Sequence, residues 1–210
     1  MNERSYKILP LRREHVTRAV DLHLNAFPGF FLSFLGPSFL AEFYRAFTEE
    51  EDALAFVSED KSGKLLGVIV GTLKPNGFFR KLLRRRWLAF SLASTRAILG
   101  CPAIIWRLVQ AVRYRGDPPS DRLRALLSSI AVAPQCQNLG VGSALLSVWI
   151  EAVRQRGCSG GYLITDALDN ETVNVFYKRN GWLLMDSFQT PQGRQMNRYV
   201  WDFPSVNTVS

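Results

Sequence analysis

Gly140 and Gly142 stand two residues apart in Gln137-Asn138-Leu139-Gly140-Val141-Gly142, immediately before a helical hydrophobic pattern. Val141, Ala144, Leu145, Val148, Trp149 and Ala152 repeat at the i, i+3, i+4, i+7 spacing of one buried helix face, and Gly157 supplies a stop. The first amides of such a helix have no partner within it, and the helix dipole adds partial positive charge there. Glycines without a Cβ let an anion approach the main chain closely. The chemistry on offer is therefore phosphate binding by backbone N–H groups. The same residues serve equally as a tight strand-to-helix connection that binds nothing. The spacing is not a dinucleotide fingerprint, which needs Gly where Leu145 stands, nor a Walker loop, since no Gly-Lys-Ser/Thr follows.

The elements around this turn must hold it in place. Leu126 to Ala133 is an apolar run of strand length that stops at Pro134. It suits a strand buried on both faces, although length alone also permits a helical fragment. Gly161 to Ala167 reads as a second strand, which makes strand, helix and strand one βαβ unit with parallel strands. Asn170 stands where it would cap a further helix, with Val173, Phe176 and Tyr177 on one side and Asn180-Gly181 as its end.

Ile-Ala-Val-x-Pro, then Q-x-x-G-x-G, then N-x-x-V-x-x-F-Y-x-x-x-G-W resembles the GNAT superfamily of acyl-CoA-dependent N-acetyltransferases, over about residues 125 to 202. The resemblance implies an α/β GNAT fold: a central mixed twisted sheet of about seven strands flanked by helices. It implies acetyl-CoA as acyl donor and no metal. The pyrophosphate would rest on the amides of Asn138, Leu139, Gly140, Val141, Gly142 and Ser143. The pantetheine arm would run beside Ile130 to Val132, with the Val132 amide as oxyanion donor. Asn170 matches an asparagine that contacts the cofactor, and Tyr177 matches the tyrosine that protonates the departing thiolate. A phenol, with an ordinary pKa of about 10, holds its proton at neutral pH and can donate it to a developing charge.

Many relatives place a glutamate on the fourth or fifth strand as general base. Here the fourth strand reads Leu-Leu-Ser-Ser-Ile and offers no carboxylate. Asp166 and His23 are the candidates, each with a structural role as the competing reading. An acceptor amine of low pKa, such as an amino sugar, would need no base.

The remainder of the chain supplies the other elements. Tyr6 to Leu11 reads as the first strand and Arg13 to Asn25 as a helix. An aromatic loop follows over residues 26–37, then a helix over Ser38 to Thr48. In the GNAT plan this loop faces the acceptor, while most of its phenylalanines suit the core. Leu54 to Ser58 and Leu65 to Leu73 form a hairpin. Trp182 to Gln189 and Met196 to Asp202 form the last strand pair.

Pro75 to Ser120 departs from the family plan as a helical basic insertion between the third and fourth strands, with helices expected at Trp87 to Leu99 and Ala103 to Tyr114. From Lys74 to Arg115 there are ten basic residues and no acidic one, which accounts for the whole net charge of +8. An apolar cap over the acceptor cleft with a solvated basic rim is the first reading. A peripheral membrane contact through a basic amphipathic helix is the second. A nucleic-acid patch is disfavoured, because no binding module accompanies the charges.

At 210 residues, 47% of them hydrophobic, the chain suits one domain over residues 1–202 and a tail over 203–210. Three cysteines without metal-ligand spacing, and a charged opening without an apolar run, lead us to expect a reducing cytoplasm. The expected activity is acetyl transfer to a primary amine of a small molecule, such as an amino sugar or a phosphorylated or lipid-linked sugar. The alternatives are a protein N-terminal or lysine acetyltransferase, and a non-catalytic acyl-CoA-binding module.

Overall fold

The computed structural model describes residues 6–28, 31–75, 78, 123–191 and 193–204. In chain order the strands are β1 (Tyr6–Pro10), β2 (Ala53–Asp60), β3 (Leu65–Thr72), β4 (Arg124–Val132), β5 (Gly160–Asp166), β6 (Leu183–Gln189) and β7 (Gln195–Asp202). They form a seven-stranded sheet in the spatial order β1-β2-β3-β4-β5-β7-β6. All neighbours are antiparallel except β4 and β5, which are parallel. The helices are α1 (Val16–Ala26), α2 (Phe31–Phe34), α3 (Pro37–Glu49), α4 (Val141–Gln155) and α5 (Glu171–Arg179).

This is the mixed sheet that the sequence predicts, with small differences at its ends. The first helix opens not at Arg13 but after a 3-10 turn, Arg13–His15, in which His15 Nδ1 accepts the Arg12 amide at 3.0 Å. The aromatic loop contains the single turn α2. The two helices expected within the insertion lie outside the described residues. No described helix is long and apolar enough to cross a membrane.

Two hydrophobic clusters lie on the two faces of the sheet. Leu126 and Ala131 of β4 belong to the cluster under α1 and α3, whereas Leu127 and Ile130 belong to the one under α4 and α5. Side chains alternate along a strand, so Leu126 and Ala131, five apart, share a face only if one residue is extra. That residue is Ser128. Val70 pairs with Ser129 and Gly71 with Leu127, which leaves Ser128 as a β-bulge.

Trp149 fixes α4 to its face. A methyl group at Gly71 would lie 2.7 Å from Trp149 Cζ2, and one at Gly161 would lie 3.0 Å from Trp149 Cζ3. Glycines on β3 and β5 thus leave the floor on which the indole lies, and Trp149 is fully buried there. On the other face Phe39, Phe43 and Phe47 of α3 are buried, and the Phe47 ring sits 4.9 Å from that of Phe78. Phe34, by contrast, is 64% exposed, so the aromatic segment divides between core and surface.

Candidate active site

The parallel strands β4 and β5 stay together only briefly. Arg124, Ala125 and Leu126 pair with Gly160, Gly161 and Tyr162, and beyond them the two strands part. On one side β4 continues against β3, and on the other β5 continues against β7. A wedge therefore opens in the middle of the sheet, starting at the bulge.

The backbone that lines the wedge follows from the register. The Ala133 amide donates to the Leu66 carbonyl at 2.9 Å, which makes Gly67–Val132 a non-hydrogen-bonded pair. Val132 therefore turns its own N–H and C=O away from β3, toward the wedge. By the same alternation so does Ile130, two residues earlier. Gln137 Nε2 approaches the Val132 carbonyl at 3.5 Å, leaving the Val132 N–H without a partner among the described residues. From the other strand, the Ala167 amide donates to Gln195, so Asp166–Met196 is also a non-hydrogen-bonded pair and Ile164 presents its backbone inward.

At the mouth of the wedge lies the glycine turn. Asn138 and Gly140 both take left-handed conformations, with φ of 62° and 80°. The first α4 hydrogen bond is Ala144 to the Gly140 carbonyl at 3.0 Å, and no side chain caps the helix. Asn138, Leu139, Gly140, Val141, Gly142 and Ser143 thus donate to no protein acceptor among the described residues. These are the six amides expected to bind the pyrophosphate. A Cβ at Gly140 would meet nothing within 4 Å, so this turn leaves open space over its donors. The donor set suits a polyanion such as the diphosphate of acetyl-CoA.

Tyr177 lies on α5 beside the same wedge. It is 6% exposed, and burial pushes its phenol well above the ordinary tyrosine range. Phe176, Trp182 and Tyr199 surround the ring, and its hydroxyl has no hydrogen-bond partner among the described residues. The group is thus a neutral phenol with its proton uncommitted.

Asn170 stands at the N-cap position, but its side chain makes no cap bond. Its Nδ2 donates backward to Thr165 Oγ1 at 2.8 Å and to the Asp166 carbonyl at 3.0 Å, tying α5 to the end of β5. Asn174, which the sequence reading passed over, completes this knot. Its Nδ2 donates to the Asp166 and Asn170 carbonyls, and its Oδ1 accepts from Asn197 Nδ2 at 3.0 Å and Tyr199 OH at 2.9 Å.

The two candidate bases are otherwise engaged. Asp166 forms a two-pronged ion pair with Arg194, 2.7 Å to each carboxylate oxygen. His23 is 2% exposed, with Nδ1 2.8 Å from the Tyr44 hydroxyl, and desolvation lowers its pKa to about 4. Tyr44 is itself fully buried, which pushes its phenol up, with the Ser129 hydroxyl pulling the other way. His23 is therefore a core group, and a weak base. Among the described residues no group of three or more His, Cys, Asp or Glu is placed to hold a metal ion.

Residues 19–182 match the model of the acetyltransferase (GNAT) family. Among curated proteins no sequence matches. Among solved structures, the ribosomal-protein-S18-alanine N-acetyltransferase of Escherichia coli is 16% identical, with a TM-score of 0.58 over 96% of this chain and 97% of that one. A Corynebacterium glutamicum structure, described as histone acetyltransferase HPA2 and related acetyltransferase, is 17% identical, with a TM-score of 0.61 over 98% and 100%. A protein from Bacillus anthracis str. Ames, solved with acetyl coenzyme A, is 13% identical, with a TM-score of 0.50 over 77% and 68%. The family model matches well over half of the sequence, and the chain belongs to the GNAT family of acetyltransferases.

Proposed function

We propose that this acetyltransferase passes the acetyl group of acetyl-CoA to a primary amine on a small molecule. One observation carries the reading: six consecutive amides without an acceptor among the described residues stand at the mouth of a wedge that also exposes the Val132 N–H. Acetyl-CoA supplies the activated thioester carbonyl. The amides of Asn138 to Ser143 hold the diphosphate, and the backbone of Ile130 and Val132 aligns the pantetheine arm. The Val132 N–H is aimed where negative charge develops on the carbonyl oxygen, and an oriented donor of this kind contributes on the order of 3 kcal/mol. Tyr177 gives its proton to the leaving sulfur. With Asp166 paired and His23 enclosed, neither candidate is free to act as base, which favours an acceptor of low pKa such as an amino sugar.

Calorimetry with coenzyme A, followed by thiol release over a panel of amines, tests this. The panel contains glucosamine, glucosamine 6-phosphate, spermidine and an alanyl peptide. Turnover of the sugars supports the reading. Turnover of the peptide alone makes the protein an N-terminal acetyltransferase. Coenzyme A binding without thiol release on any amine favours a non-catalytic module.

A further inference from the structure

The sheet face that α1 and α3 cover is only half closed by the described elements. These helices pack mainly over β2, β3 and β4, while α4 and α5 lie on the opposite face. Asn197 and Tyr199 of β7 both bond Asn174 of α5, so Arg198 between them points to the half-closed face. It stands opposite Ile164 of β5 and Asp186 of β6. Ile164 is two residues past the last β4–β5 pair, so Arg198 lies about 5 Å, one strand spacing, from the free edge of the wedge.

Its guanidinium is only partly used. Arg198 Nε is buried and has no hydrogen-bond partner among the described residues. The carbon of the guanidinium sits 5.2 Å over the Phe188 ring, which holds the plane in place. Its one ion pair among the described residues, from NH1 to Asp186, is 3.5 Å long, and that carboxylate is 46% exposed against 15% for the arginine side chain. A long, half-solvated pair of this kind is weak, and a ligand oxyanion can replace it. Arg194 differs, because Asp166 already fills its fork.

We propose that Arg198 anchors an oxyanion, phosphate or carboxylate, carried by the amine acceptor. The inference rests on the acceptor meeting the thioester from this face. The two outer nitrogens form a planar fork that matches such a group, with the buried Nε–H directly behind it. Stacked on Phe188, it loses little freedom on binding. The acceptor class is then a small amine bearing a phosphate or a carboxylate.

The test is a titration followed by the Arg198 Nε–H nuclear magnetic resonance signal, assigned by its loss in Arg198→Lys, with coenzyme A at saturation. Phosphoethanolamine should shift that signal and ethanolamine should not. Arg198→Met should weaken phosphoethanolamine more than tenfold, with Arg198→Lys intermediate, and Asp186→Asn should tighten it several-fold. The proposal is overturned if the signal does not move or if Arg198→Met binds as well as the parent. It is equally overturned if inorganic phosphate binds as tightly as the amine, which marks an adventitious anion only. A protein that takes no coenzyme A yet still shifts at Arg198 overturns the acetyl-CoA reading and leaves the anion site standing.

Discussion

Gly142 and Phe176 meet at the mouth of the wedge: a methyl group on Gly142 would lie 3.3 Å from two carbons of the Phe176 ring and 3.5 Å from Val132 Cγ2. The start of α4, the end of β4 and the middle of α5 therefore converge on one point. Because Tyr177 follows Phe176, the open amides of the glycine turn and the phenol are fixed relative to one another by packing. Gly142→Ala forces the Phe176 ring aside by a few tenths of an ångström and places carbon beside the donors. We expect coenzyme A affinity to fall about tenfold, equivalent to about 1.4 kcal/mol, with little change in melting temperature. Calorimetry beside a thermal melt separates the two effects.

Tyr177→Phe removes one oxygen from a buried ring whose hydroxyl has no hydrogen-bond partner among the described residues. Stability and coenzyme A affinity should hardly change, since no buried partner is orphaned. Turnover should fall on the order of 100-fold, the usual worth of a positioned proton donor. Because burial raises the phenol, the parent should show no loss of this donor as pH rises from 7 to 9. Full activity of Tyr177→Phe would assign the thiolate's proton to another group.

Asn174 holds α5 to β5 and β7 through three hydrogen bonds and closes a fourth on the Asn170 carbonyl at the start of its own helix. Asn174→Ala removes the partner of the buried Tyr199 hydroxyl and the partner of Asn197 Nδ2, while the Asp166 carbonyl keeps Asn170 as its donor. Each unmade bond costs about 1–3 kcal/mol, so a loss of about 3 kcal/mol in urea denaturation is expected. The bonds of Asn174 all go to α5, β5 and β7 and none to the glycine turn, so at temperatures where the variant is folded its KM for acetyl-CoA should be close to that of the parent.

What the sequence disclosed was periodicity and punctuation. The stripe from Val141 to Ala152 and the glycines at 140, 142 and 157 give α4 and its turn almost to the residue, because those signals are local. The wedge came from family resemblance, since nothing in Leu126–Val132 announces where its parallel partner leaves. The engaged states of Asp166 and His23 were hidden for a physical reason. Their partners, Arg194 and Tyr44, lie 28 and 21 residues away, and a pattern reveals which face a residue occupies but not what it meets there. Asn170 shows the same gap at short range: the spacing marked a cap, and Thr165 took the side chain instead.

His23 makes the acid limb of stability readable. Its pKa is about 4 in the folded protein and about 6.5 when exposed, so between these values the unfolded chain binds the extra proton. Above pH 6.5 both states are neutral and the histidine contributes no pH dependence. As pH falls from 6.5 toward 4 the folded state loses stability, to a limit of about 3 kcal/mol, because charging the ring would mean burying an ion beside Tyr44. His15 is shifted in the same direction by burial and adds to the slope. Urea midpoints at pH 7.0, 6.0 and 5.0 should therefore descend, and His23→Gln should flatten most of that descent. An unchanged slope in His23→Gln would place the acid sensitivity elsewhere and remove His23 as its source.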